Sequence, residues 1–261
     1  YGSLADVPDD AALAVVAVPA RHLESTIDAC IRKRMRGAVI VTTVTARDDI
    51  DIPALVARSR RNGLRLIGPT SMGVAAFASS SRLNATLADG TMPSGGVAFS
   101  IQSGSLGGAL LRAARDVGLG ISWFVSLGDK SDVSANDLLQ FWEDDRDTSV
   151  IGLYTESLGN PRKFARIARR VGRSKPIVAV RTGAAADGAS GALYQQAGVI
   201  EVPTVRALLD TCRVLESQPV LRGPNVAVIS NSSSPTTLSS AAMRDLGLEP
   251  EDGCTFGPND T

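Results

Sequence analysis

The stretch from Val97 to Gly108, Val-Ala-Phe-Ser-Ile-Gln-Ser-Gly-Ser-Leu-Gly-Gly, constrains the fold of this chain more than any other. Residues 97–101 read as a short buried strand, 102–105 as a tight polar turn, and 106–117 have helical spacing. A helix that begins there turns unpaired backbone N–H groups, and the positive end of its dipole, into the turn. Ser103 and Ser105 add hydroxyls, and Gly104 lets a ligand approach the backbone. That chemistry suits a phosphate or a carboxylate. An ordinary N-capped helix of an α/β sheet, with Ser105 as its cap, accounts for the same residues.

The flanking chain repeats the strand-and-helix rhythm. Residues 11–18 are a continuous apolar run, as expected of a parallel strand covered on both faces, and Pro19 ends it. Leu23, Ile27, Cys30, Ile31 and Met35 follow at helical spacing, and 38–42 form a second apolar strand. Asp51 can cap a helix with Pro53 in its first turn and Gly63 as its stop, before a third strand over 64–67. Residues 1–77 thus read as strand–helix–strand–helix–strand, half of a doubly wound sheet. Residues 78–96, rich in Ser, Ala, Gly and Pro, read as a linker. A second parallel unit of about five strands is expected near Val97, Ile121, Val150, Ile177 and Val199. Its helices fall over 106–117, 135–142, 161–171 and 205–217, a flavodoxin-like rhythm. Residues 223–230 and 236–246 open a third βα unit.

Composition excludes several functions. Lys+Arg and Asp+Glu are both 27, so no global field draws the chain to nucleic acid or an anionic membrane. No apolar run approaches the ~20 residues of a membrane span. Cys30, Cys212 and Cys254 are odd in number and far apart, which argues for a reducing compartment, the cytoplasm, and against a disulfide framework or zinc site. No residue is assigned to a metal. Cys30 falls on an apolar helix face and reads as core. His22, the single histidine, reads as a solvated first-turn residue. The basic run from Arg162 to Arg173 leaves Phe164, Ile167, Ala168 and Val171 as an inward stripe, so it reads as a solvated helix face.

Several segments, taken in order, resemble the NDP-forming acyl-CoA synthetases (acetate–CoA ligase, ADP-forming), relatives of the succinyl-CoA synthetase alpha subunit. They are Ala17-Val-Pro-Ala20, Ile67-Gly-Pro69, Gln102-Ser-Gly104, the run from Phe124 to Val133, Asn136-Asp-Leu-Leu139, Leu153-Tyr-Thr-Glu156 and Gln196-Ala-Gly-Val-Ile200. The resemblance covers nearly the whole chain. It implies an α/β protein: a CoA-binding Rossmann-type domain over 1–81 lacking its first part, a flavodoxin-like succinyl-CoA ligase domain over 82–220, and the start of a third ligase domain over 221–261. It therefore implies a longer protein.

The implied reaction converts acyl-CoA, phosphate and ADP to carboxylate, CoA and ATP through an acyl phosphate and a phosphohistidine. By the same resemblance, Pro19, Ala20, Thr42 and Thr43 hold coenzyme A, and Gln102, Ser103 and Gly104 hold phosphate. Glu156 is the acid that orients the phosphohistidine. ADP or ATP with Mg would sit on a nucleotide-grasp subunit or domain, in a homo- or hetero-oligomer.

The chain departs from the family pattern at its chemical centre. The histidine loop should lie between Gly183 and Gln195, yet the interval 184–194 is short, rich in small residues and without histidine. The interval 45–49 is also shorter than the family's. Either the histidine loop is absent, or a mobile segment of the full protein stands outside this sequence. The family's Gly-Pro-Asn-Cys turn is here Gly68-Pro-Thr-Ser, Ile101 replaces the first serine of the phosphate turn, and the third-domain glycine turn is Asn231-Ser-Ser-Ser-Pro235. Two functions follow as alternatives. One is a working ligase. The other is a catalytically silent, CoA-sensing module of the kind fused to bacterial GNAT-type protein lysine acetyltransferases.

Overall fold

The computed structural model describes residues 2–8, 11–77, 82–183, 188–219 and 223–251. Two compact units divide the chain, residues 1–217 and residues 218–261.

The first unit opens with β1 (Leu13–Val16), α1 (Leu23–Arg32), β2 (Gly37–Ile40), α2 (Ile52–Arg61) and β3 (Arg65–Ile67). The strands form a parallel three-stranded sheet in the order β1-β2-β3. Leu23, Ile27 and Cys30 of α1 pack with Leu55 and Val56 of α2 against Val16, Ala38, Ile40 and Leu66. Asp51 caps α2 as expected, accepting the Ala54 N–H at 2.9 Å. One expectation fails. The first strand is not covered on both faces: β1 is an edge strand, with Leu13 and Val15 exposed and only Val16 buried. Its apolar run reflects a strand whose outer side meets solvent in this chain, which a continuous hydrophobic pattern cannot signal.

A seven-stranded sheet follows. Its members are β4 (Gly73–Ala76), β5 (Leu83–Thr86), β6 (Ser94–Ile101), β7 (Ile121–Ser126), β8 (Val150–Thr155), β9 (Ile177–Arg181) and β10 (Ile200–Glu201). Helices α3 (Gly104–Asp116), α4 (Ala135–Asp144), α5 (Pro161–Val171), α6 (Gly188–Gln196) and α7 (Val205–Ser217) connect or follow them. The order is β10-β9-β8-β6-β7-β4-β5. The five strands expected from the sequence are all present and parallel. The sheet is larger than expected because β4 and β5 add an antiparallel hairpin. Residues 83–86 were to be linker and are strand instead, while 78–81 lie outside the described residues. Leu83-Asn-Ala-Thr86 has little apolar alternation because it is an edge strand.

One face of this sheet packs against α4, α5 and α6 through Leu139, Trp142, Phe164, Ile167 and Tyr194. The other packs against α3 and α7 through Leu110, Leu111, Leu208 and Cys212. Phe164, Ile167, Ala168 and Val171 are the buried stripe of α5, so the basic run is chiefly a solvated face, with Arg170 paired to Glu143 at 2.6 Å. Burial is also what the reading of Cys30 required.

The two sheets are joined along the edge of β3. There the turn-and-bend segment 129–133 lies against it: Val133 N–H donates to Leu66 O at 3.1 Å, Ser131 N–H to Gly68 O at 3.2 Å, and Asp129 N–H to Pro69 O at 2.9 Å. Val39 belongs to the same buried cluster as Val74, Val125 and Leu127, and Ile67 packs against that cluster. The second unit is a single βαβ passage, β11 (Asn225–Ala227), α8 (Ser233–Asp245) and β12 (Glu249–Glu251), with β11 and β12 parallel. Among the described residues no helix is long and apolar enough to cross a membrane.

Candidate functional site

In the seven-stranded sheet the chain leaves β6 for β7 on one side and later takes up β8 on the other. The order therefore reverses between β6 and β8. In open α/β sheets, ligands lie outside the carboxyl ends of the strands at such a point. The carboxyl end of β6 carries Gln102, Ser103 and Gly104, and that of β8 carries Glu156. The structure thus brings the expected phosphate turn and the expected acid to adjacent strand ends.

Ser103, not Ser105, caps α3. Its Oγ accepts the Leu106 N–H at 3.4 Å, and the helix begins at Gly104. The two hydroxyls lie 3.4 Å apart. Ser103 and Gly104 are half-buried and Ser105 is exposed. Gln102 is used differently from the other two. Its Oε1 accepts the N–H groups of Glu156 and, at 2.9 Å, Ser157, and its Nε2 donates to Ser157 O at 2.9 Å. The amide oxygen is spent on fixing the turn after β8, and one of the two Nε2 donors remains for a ligand. Gln102 thus ties the end of β6 to the turn that follows β8, beside residues 103–105.

Glu156 is exposed. Lys130 lies near it and donates from Nζ to Ser157 O. Burial pulls the Lys130 ammonium below its ordinary value, and the charge of Glu156 opposes the shift. Gly183 packs beside Glu156, with only 3.4 Å between the Glu156 carbonyl oxygen and any Cβ placed there. The chain from β9 therefore passes the acid at the point where the family's histidine loop would depart. Residues 184–187 of that interval lie outside the described residues, and 188–196 form α6, which the Gly- and Ala-rich sequence did not signal.

Pro19 and Ala20 follow β1, and Thr42 and Thr43 follow β2, at the carboxyl edge of the three-stranded sheet. Thr42 Oγ1 donates to Val18 O at 2.7 Å, which ties the two strand ends together. Thr70 N–H donates to Thr42 O at 2.9 Å, and a Cβ at Gly104 would stand 3.3 Å from Thr70 O. Thr42, Thr70 and Gly104 thus form a continuous path from the end of one sheet to the phosphate turn of the other. Thr70 has φ of 59°, unusual for a β-branched residue, and its hydroxyl donates to Asp129 Oδ2 at 2.9 Å. His22 is exposed at the start of α1, the solvated first-turn position that the sequence indicates.

Asp132 is a residue whose role only the structure shows. Its side chain is fully buried and accepts from Arg60 Nε at 2.5 Å, Arg65 Nε at 3.0 Å and Leu66 N–H at 2.7 Å. Burial raises its pKa, but Arg65, the Leu66 N–H and Arg60 together outweigh burial and hold the carboxyl below the usual range. It is the polar pin of the join between the sheets. The family-like run from Phe124 to Val133 contained it, yet its partners lie more than 60 residues earlier.

Comparison with known proteins decides the kinship. Residues 94–215 match the family described as succinyl-CoA ligase like flavodoxin domain. An ADP-forming acetate–CoA ligase of Methanocaldococcus jannaschii is 30% identical over 95% of this chain and 38% of its own length. The alpha subunit of ADP-forming acetate–CoA ligase I of Pyrococcus furiosus is 29% identical over 95% of this chain and 58% of its own. The chain belongs to the NDP-forming acyl-CoA synthetases. The structure of an acetyl-coenzyme A synthetase 1 of Candidatus Korarchaeum cryptofilum, described as in complex with phosphate and ADP, superposes on this chain with a TM-score of 0.89 at 29% identity. It covers 97% of this chain and 59% of that one. This chain thus spans between about two fifths and three fifths of these synthetases' own lengths.

Proposed function

We propose that this chain is the CoA- and phosphate-binding portion of an ADP-forming acyl-CoA synthetase, interconverting acyl-CoA, phosphate and ADP with carboxylate, CoA and ATP. The path Thr42–Thr70–Gly104 carries the proposal, because it sets a thioester cradle against a helix N-terminus suited to an oxyanion. Pro19, Ala20, Thr42 and Thr43 hold coenzyme A. The N–H groups of Gly104 and Ser105 and the hydroxyls of Ser103 and Ser105 hold phosphate where it attacks the acyl carbon and expels the thiolate. Preorganised donors of this kind stabilise charge as it develops. Glu156 accepts an imidazole N–H from a phosphoryl-carrying histidine, and Lys130 balances the charge beside it. The domain limits follow the family: 1–81, 82–220 and 221–261.

The nucleotide, with Mg, belongs to a nucleotide-grasp domain or subunit, and the relatives support that partnership, since two Pyrococcus furiosus relatives are named as alpha subunits. The cytoplasm suits the unpaired thiols of Cys30 and Cys212. One observation favours a second reading. The sequence has one histidine, His22, and none between Gly183 and Gln195. Without a carrier nitrogen the scaffold is a CoA-sensing module, and a fused GNAT acetyltransferase domain is then its natural client.

The test is to incubate the full-length protein, with its nucleotide-grasp partner, with γ-labelled ATP and separately with CoA. An acid-labile, base-stable phosphoprotein that transfers label on addition of acetate and CoA supports the ligase. CoA binding without any labelled protein supports the silent module and ends the ligase reading.

A further inference from the structure

A cavity of about 310 Å³ lies between α3 and the loop that follows β5. None of residues 102–105 lines it, so it is separate from the phosphate turn. Helix α3 contributes Gly108, Leu111, Arg112 and Arg115, whose spacing sets them on one face. The deeper wall is apolar. Met72 and Leu111 are 7% and 3% exposed, and Phe77 and Met92 are half-buried beside them. Two thioethers and a phenyl ring adapt to apolar bodies of differing shape.

Two guanidiniums border this apolar wall. A Cβ placed at Gly108 would lie 3.7 Å from Arg112 Nη1 and 3.7 Å from Met72 Sδ. The Arg112 side chain thus folds back over the preceding turn beside the thioether, instead of extending into water. It forms no ion pair among the described residues. Arg115 Nη1 donates to Asp89 O at 3.2 Å. Gly90 has φ of 87°, and a Cβ there would collide with that same nitrogen, so the loop needs glycine where Arg115 crosses it. The Asp89 carboxylate is exposed and pairs with neither arginine. The cavity therefore sets two cations against one carboxylate around an apolar interior.

We propose that this cavity binds an amphiphilic organic anion, a carboxylate with a short apolar body. The carboxylate meets the Arg112 guanidinium, whose paired N–H groups match its two oxygens. The body lies on Met72, Phe77, Met92 and Leu111. The volume exceeds what a bare carboxylate fills and stands at the lower end of small-molecule sites. Met72 follows the turn whose Thr70 O faces Gly104, and Gly108 lies one helical turn beyond Gly104. An occupant therefore touches both elements that meet at the phosphate turn. The inference rests on this cavity alone and does not require the ligase reading.

Calorimetric titration of the full-length protein with acetate, hexanoate and hexylamine tests it. Hexanoate should saturate below about 10 mM and bind at least about tenfold more tightly than acetate, since each buried methylene adds roughly threefold. Hexylamine, with the same body and the opposite charge, should bind at least about tenfold more weakly than hexanoate. Arg112→Gln, at an exposed position, should weaken hexanoate about tenfold. Gly108→Leu fills the cavity from α3. Its Cβ meets only ordinary contacts, so the variant should melt no lower than the parent and lose hexanoate binding. If Gly108→Leu melts lower, Arg112→Gln alone decides. The inference is overturned if hexanoate does not saturate below about 10 mM, if acetate or hexylamine binds as tightly as hexanoate, or if Arg112→Gln or a stably folded Gly108→Leu binds hexanoate as the parent does. Hexanoate held at the carboxylate site of a ligase would be indifferent to both substitutions, so that outcome overturns this inference and leaves the ligase reading standing.

Discussion

Replacing Asp132 by alanine tests whether one buried carboxylate holds the two sheets in register. Its side chain is fully buried, whereas those of Arg60 and Arg65 are 54% and 47% exposed. The arginines can return to water when the carboxylate is removed, so each contributes only about 0.5–1 kcal/mol after screening. The Leu66 N–H cannot. It sits on a residue 2% exposed, donates to Asp132 Oδ2 at 2.7 Å, and would be left unpaired at a cost of about 1–3 kcal/mol. The total for Asp132→Ala is about 3 kcal/mol, a fall of roughly 6–12 °C in Tm for a unit of this size. Asp132→Asn keeps an acceptor for Leu66 and should cost about 2 kcal/mol.

The pH dependence has a definite sign. Because the folded-state pKa is depressed, the contribution of Asp132 is complete above the unfolded carboxylate value of about 3.9 and disappears as pH falls through the lower folded value. The gap between parent and Asp132→Asn, measured by urea denaturation, should therefore be constant from pH 7 to about 5 and close below about 4. Amide hydrogen exchange should show Leu66 and Val133 losing protection ahead of the sheet interior. A cost below about 0.5 kcal/mol for Asp132→Ala, with Leu66 exchange unchanged, would refute the reasoning.

Three further perturbations follow from the geometry. Thr70 holds φ of 59° with a β-branched side chain, so Thr70→Asn, which tolerates that conformation, should raise the urea midpoint by an amount worth about 1 kcal/mol. An unchanged or lower midpoint means that the turn relaxes around threonine without strain. Gln102→Glu removes the Nε2 donor to Ser157 and sets a second carboxylate beside Glu156, so phosphate binding at the turn should weaken about tenfold or more by titration, with global stability changed far less. Burial pushes the Cys212 thiol up to about 12 and raises that of Cys30, so at pH 8 neither should react with iodoacetamide until the chain unfolds, as peptide mapping would report.

What could be read from the sequence was what local chemistry writes. The stripe of Phe164, Ile167, Ala168 and Val171 announces a helix on a sheet, Asp51 announces its cap, and the Gln-Ser-Gly turn sits at the switch point because a strand, a turn and a helix lie within a dozen residues. The cap itself was misplaced by two residues, since Ser103 and Ser105 are equally good caps and only the end of β6 chooses between them. What stayed hidden depends on residues far apart in the chain. Strand β5 is polar and short, and it is a strand only because β4 is there to pair with it. Gln102 reads as a residue of the turn alone, and only its partners 54 and 55 residues later show that it also anchors the loop after β8. The same distance effect explains why the run from Phe124 to Val133 could be matched to a family but not explained: its purpose is to edge a strand that ended 62 residues before Asp129. Local signals thus locate a site, while the groups that hold it rigid are set by long-range pairing. A chain that keeps the turn but loses Asp132 should therefore retain its fold and lose the alignment of Thr42, Thr70 and Gly104, while one that loses Gln102 should lose the placing of Glu156 beside it.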